Sequence, residues 1–184
     1  MSTERSYSGK PKAVYSHSPQ DSHHLASLSM TTIIEADLSD PTHTAAIVDL
    51  IAQLAVSEFG RRDAITAAER VALIPALARF PSKRVLLASC DSWICRIAVC
   101  FVQLSAFSGR EMLKIHDLFV APDKRGRGIG RSLVEAAIGC AREMNCAFVN
   151  VEVATHNPDA TRLYERLEFS DWITPTRFME LRLK

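Results

Sequence analysis

The sequence predicts an α/β fold: a mixed, mostly antiparallel twisted sheet with helices on both faces and a parallel βαβ crossover. Three observations lead there. Short apolar, β-branched segments are interspersed with stretches whose apolar residues recur every three or four positions. "RVLLAS" and "WICRIAVCFVQLSAF" are separated only by a turn at "CDS" and read as an antiparallel β-hairpin. A helical stretch lies between "REMLKIHDLFV" and "AFVNVEVA", which makes those two strands parallel and their connection right-handed.

Taken in order, residues 1–30 are rich in Ser, His and Lys and show no helical or strand period. A disordered polar tail is expected there, and the domain proper over 31–184. "TTIIEA" is a short strand. The next helix has Asp40 as N-cap and Pro41 at its first position, and Ile47, Leu50, Ile51 and Leu54 recur at helical spacing. A second helix is expected over about 64–80, kinked or divided at Pro75. After the hairpin and "REMLKIHDLFV" comes a glycine-rich loop. A helix over about 131–144 follows, with Leu133, Val134, Ala137, Ile138 and Ala141 as its apolar stripe. "AFVNVEVA" is the next strand. "NPDATRLYERL" is a short helix capped by Asn157 with Pro158 at its first position, and "RFMELRL" is expected as a last strand.

Composition excludes several classes. The formal net charge of +1 leaves no global field to attract nucleic acid or an anionic membrane. No apolar run is long enough to span a bilayer, and the first residues carry no signal-peptide h-region. Cys90, Cys95, Cys100, Cys140 and Cys146 form no CxxC pair and no Cys/His metal spacing; their odd number and apolar settings fit reduced, buried thiols. The expectation is a cytoplasmic protein without metal or disulfide framework.

The stretch "LFVAPDKRGRGIGRSL", residues 118–133, carries the chemistry. A dinucleotide fingerprint would need a glycine where Arg131 stands, and a Walker A loop would need a closing Gly-Lys-Ser/Thr. What remains is Arg125-x-x-Gly128-x-Gly130 opening a helix directly after a strand. Backbone N–H groups at such a helix start converge on one point, and the helix dipole adds positive charge. Glycines let a bulky anion approach, and Arg125, Arg127 and Arg131 add formal charge. A solvated basic turn would carry the same residues.

Together, "IHDLFVAPDKRGRGIG" and "NPDATRLYERLEF" resemble the GCN5-related N-acetyltransferase (GNAT) superfamily, whose members pair an R/Q-x-x-G-x-G/A loop with a downstream Asn, Ala and Leu-Tyr-Glu before a phenylalanine. The resemblance is specific over about residues 112–170, order-compatible over 31–111 and absent from the tail. "FSGREMLKIHDLFV" leans toward the branch acting on small amines.

The resemblance implies the acyl-CoA N-acyltransferase fold and transfer of acetyl from acetyl-CoA, as co-substrate, to a primary amine. Backbone groups of Leu118, Phe119 and Val120, at the end of a bulged strand, would hold the pantetheine arm. Gly126, Arg127, Gly128, Ile129, Gly130 and Arg131, beside Arg125, would present N–H groups to the pyrophosphate. Asn157 would reach the cofactor arm, a role compatible with plain capping, and Tyr164 would protonate the departing thiolate. Expected partners are a small-molecule amine acceptor and, for a homodimer, a second copy, with no nucleic acid and no membrane. A non-catalytic acyl-CoA sensor and a protein N-terminal or lysine acetyltransferase are the alternatives on the same fold.

Such a transfer needs a neutral amine, so a proton must leave before attack. His116 occupies a position that is often glutamate in the small-amine branch, and histidine is a serviceable base at neutral pH. It could equally be a hydrogen-bonded strand residue. Strict alternation sends His116 and Asp117 to opposite faces, which rules out a dyad unless a bulge intervenes. His156 is a second base candidate, and Glu58, Glu111 and Glu152 could attract a cation or be plain surface charges. One residue departs from the family: Glu168 stands where a glycine usually ends the Tyr helix. A non-glycine there costs roughly 1–2 kcal/mol, so the helix is expected to end differently and shift Tyr164.

Overall fold

Leu86 and Ala88 alternate with Val85 and Leu87 along one strand, and the two pairs are buried in different cores. A strand of that kind needs helices on both faces of its sheet. The computed structural model describes residues 13–16, 32–90, 93–121, 129–171 and 179–181. Its strands are β1 (Ala13–Ser16), β2 (Thr32–Glu35), β3 (Lys83–Cys90), β4 (Trp93–Ser105), β5 (Arg110–Val120) and β6 (Val149–Val151). Among the described residues they form one six-stranded sheet in the order β1-β2-β3-β4-β5-β6, each pair antiparallel except for the parallel β5–β6 pair. The mixed sheet and the crossover agree with the sequence reading.

Helix α3 (Ile129–Glu143) makes that crossover. Its Leu133, Val134, Ala137 and Ala141 pack on Leu86, Ala98, Cys100, Leu113 and Ile115. On the other face α1 (Pro41–Val56) and α2 (Ala67–Arg79) bring Ile47, Leu50 and Leu77 onto Leu87, Ile97, Val99 and Phe119. Local chemistry sets the helix starts as expected: Asp40 caps α1 by accepting from the Thr42 N–H at 2.7 Å, with Pro41 behind it. Thr66 and Glu69 form a reciprocal capping box at the start of α2.

Three expectations are corrected. The tail contains a strand, because β1 pairs with the edge of β2, whose outward N–H and C=O groups would otherwise lack a strand partner. Helix α2 is not divided at Pro75 but continues through it. Pro75 and Val71 one turn before it are exposed, so the Val71 carbonyl freed by the proline faces water. Of the segment expected as a last strand, residues 179–181 are described and have no regular secondary structure; the rest lies outside the described residues.

Helix α4 (Pro158–Glu165) begins and ends on identifiable contacts. The Asn157 side-chain oxygen accepts from the Ala160 N–H at 3.1 Å. At the other end the Phe169 N–H reaches the Tyr164 carbonyl at 3.0 Å and the Glu168 N–H reaches that of Glu165 at 3.0 Å, the bond pair of a Schellman motif. Glu168 takes the left-handed conformation itself, with φ of 67°. The expected displacement of the helix end is therefore overturned: Glu168 takes up the strain and the motif closes around it. Glu168→Gly should then stabilise the protein by about 1 kcal/mol, raising Tm by about 2–4 °C. A Tm by calorimetry that stays put or falls would show that the glutamate side chain contributes more than its backbone costs.

Candidate active site

β4 and β5 pair evenly except at one point. Val99 lies opposite Asp117 and Cys100 opposite Ile115, so His116 is an extra residue in a β-bulge. The bulge resets the alternation. Leu113 and Ile115 belong to the α3 core, yet Phe119, an even number of residues further on, belongs to the α1–α2 core. With one residue inserted, His116 and Asp117 both fall on the α1–α2 face, and Leu118 returns to the α3 core. The opposite-face placement of His116 and Asp117 is thereby corrected. The exposed His116 ring lies 5.5 Å from that of Phe101, which lies 5.0 Å from Phe80 at the end of α2. Burial pushes the Asp117 carboxyl above its ordinary range, and the adjacent His116 opposes this without cancelling it.

The bulge coincides with the end of the parallel ladder. The last β5–β6 pair is Ile115↔Val151; beyond it β5 runs on beside β4 to Val120, and β6 has ended. Leu118, Phe119 and Val120 thus form the β5 margin of a gap in the sheet. Gly130, in the first turn of α3, closes one end of it: a Cβ there would sit 3.8 Å from Val120 Cγ2 and 3.5 Å from Leu163 Cδ2. The end of β5, the start of α3 and the middle of α4 therefore meet at one place.

Tyr164 sits on the α3 side of this gap, 5 % exposed among Cys100, Ile115 and the α3 residues. Its ring meets Phe169 edge-on at 5.3 Å, the side-chain contact that accompanies the Schellman turn. Burial pushes its hydroxyl above the usual tyrosine range, so it stays protonated at neutral pH and is available as a donor. Burial, with the charges of Cys140 and Asp117 acting in the same direction, pushes the Cys100 thiol up to about 12. It is a thiol at neutral pH, not a nucleophilic thiolate.

On the other side of the gap the loop between α1 and α2 is firmly built. A Cβ on Gly60 would fall 2.0 Å from the Leu54 carbonyl oxygen, so only glycine fits there. Arg61 grips Glu69 through both carboxylate oxygens, at 2.8 and 2.9 Å, and also donates to the Asp63 and Ala64 carbonyls. The Arg61 contact, with the Thr66 bonds, holds the Glu69 carboxyl down at about 2; its folded-state value is depressed, so its stabilisation is present above the ordinary glutamate range and is lost as pH falls toward 2. The loop carries Phe59, whose ring lies 5.5 Å from His156 beside the α4 cap.

The other predicted residues fall out unevenly. Arg125, Gly126, Arg127 and Gly128 lie outside the described residues. Ile129, Gly130 and Arg131 open α3, whose first turn has no acidic residue. The Arg131 guanidinium pairs with Glu135 at 2.8 Å, one turn along, so its expected charge is directed down the helix rather than at its start. Glu152 is held by Lys114 at 2.7 Å. A wide crevice runs along the outer edge of β6, lined by Val149, Asn150, Glu152, Tyr164 and Phe169. Of the residues singled out in the sequence, Glu152 and Tyr164 line it among the described residues. Sequence reasoning missed Asn150 and Lys114, whose shared face with His116 follows from the β5–β6 register alone.

These features define an α/β domain with an interrupted parallel pair beside a helix start. Residues 94–169 match the model of the acetyltransferase (GNAT) family. Residues of this chain are 40 % identical over 68 positions to an uncharacterized N-acetyltransferase of Methanocaldococcus jannaschii, covering 37 % of this chain and 30 % of that protein. They are 38 % identical over 65 positions to a mycothiol acetyltransferase of Saccharopolyspora erythraea, covering 35 % and 22 %. The matched stretch thus spans less than a third of either relative. In fold, the chain is similar to an aminoglycoside acetyltransferase from a soil metagenome solved with sisomicin, with a TM-score of 0.69, 18 % identity, and coverage of 83 % of this chain and 97 % of that one.

Proposed function

We propose that the protein transfers the acetyl group of acetyl-CoA to the primary amine of a small acceptor by direct attack on the thioester. The observation that carries this reading is the parting of β5 and β6 at His116, with His116 on one face of the sheet and Tyr164 toward the other. A thioester in that gap is open to an amine from the His116 side, while its sulfur departs toward Tyr164.

In this reading the pantetheine arm pairs with the backbone of Leu118–Val120 like an added strand. The pyrophosphate lies on the loop containing Arg125, Gly126, Arg127 and Gly128 and on the first N–H groups of α3. His116, directly or through one water, takes a proton from the incoming ammonium, and the neutral nitrogen attacks the carbonyl carbon. Backbone N–H groups at the bulge stabilise the oxyanion. The C–S bond breaks, Tyr164 gives its proton to the sulfur, the new amide nitrogen passes its extra proton through solvent to the tyrosinate, and His116 releases to solvent the proton it took. Products are the amide and free CoA. The raised Cys100 thiol argues against an acyl-cysteine intermediate.

Amine-dependent release of thiol from acetyl-CoA, followed across a panel of primary amines, tests the proposal. One amide formed per thiol released is the expected result. Acetyl-CoA binding without amine-dependent release would make the protein a sensor of the cofactor instead.

A further inference from the structure

We infer that Asn150 and the Lys114–Glu152 pair select an acceptor carrying a second hydrogen-bond donor, an N–H or O–H, beyond the amine that reacts; this rests on the transfer reading above. The four side chains concerned share one face. Leu113, Ile115, Val149 and Val151 pack in or against the α3 core, so the intervening Lys114 and Asn150, which are cross-strand partners, face the other way, as does Glu152. His116 is on that same α1–α2 face. Lys114 and His116 are two residues apart on β5, roughly 7 Å.

Asn150 carries the argument. Its amide nitrogen donates toward Met112 Sδ at 3.8 Å. A thioether sulfur can only accept, so this contact fixes which end of the amide faces Met112. The amide oxygen is then left buried with no hydrogen-bond partner among the described residues. A buried acceptor without a donor is costly, and an apolar side chain such as leucine, with the same number of heavy atoms, would avoid the cost. Retaining an asparagine there makes sense if a ligand supplies the donor. The ion pair beside it is on the open side of the face, Glu152 being 63 % exposed, and its carboxylate is a second acceptor for the same donor group. An amine placed for attack at His116 would reach this oxygen with a hydroxyl or second nitrogen a short chain away. A plain alkylamine would leave the oxygen unsatisfied and lose binding accordingly.

The experiment measures kcat/KM for n-butylamine, 4-amino-1-butanol and 1,4-diaminobutane by thiol release from acetyl-CoA. The unaltered protein should prefer the two donor-bearing amines over butylamine by about 10-fold or more. In Asn150→Leu that preference should collapse while Tm holds or rises, since a buried unsatisfied group has been removed. Asn150→Asp keeps an acceptor at the position and should retain the preference, tilted toward the diamine. Butylamine turned over as well as the other two would overturn the inference and leave the transfer reading standing. A preference that survives Asn150→Leu would do the same. Absence of thiol release with any amine in the panel would overturn both.

Discussion

His116→Ala should lower turnover by about 10²–10⁴-fold, the range of a lost general base, and should remove the rising limb of the pH–rate profile. The profile of the unaltered protein is expected to rise as the histidine loses its proton, because only the neutral imidazole can take one from the acceptor. Ordering matters here. The bulge makes His116 the inserted residue of β5, exposed at the point where the ladder to β6 stops. A side chain in that place can be exchanged without removing a core contact, so the alanine variant should fold normally. His116→Glu should keep partial activity with its optimum moved to lower pH, since a carboxylate accepts a proton in the same place. A pH profile unchanged in His116→Ala would remove the residue from the mechanism.

Tyr164→Phe should cut turnover by about 10²-fold or more with little change in acetyl-CoA affinity. Phenylalanine keeps the edge-on contact with Phe169 and the fill of the core beneath α3, so the loss isolates the hydroxyl. Burial holds the tyrosine proton well past neutrality, and the same burial makes it a donor rather than a base. The expected signature is a fall in kcat with KM for acetyl-CoA nearly constant, read by thiol release at saturating amine. Full activity in the phenylalanine variant would assign the proton to water.

The sequence by itself determined what short-range chemistry controls. Asp40, Pro41, Asn157 and Pro158 set helix starts through bonds spanning two or three residues, and each was legible before any fold was known. The hairpin and the crossover followed from the spacing of apolar segments in the same way. Local rules also located the strain at Glu168, although they misjudged its outcome: the closing bonds and the Phe169 contact outweigh a penalty of about 1–2 kcal/mol. Tertiary structure alone decided the rest. β1 forms against the edge of β2, and no periodicity within the first 30 residues could show a partner that lies beyond them. The extra residue at His116 is defined only by what stands opposite it on β4, so the face of Asp117 and the inward return of Leu118 had no signal in their own sequence. The company Asn150 keeps depends likewise on its register against Lys114, across a helix and two loops. Pairing between strands distant in the chain is set by the whole core at once, and a side chain's face is known only after that register is fixed.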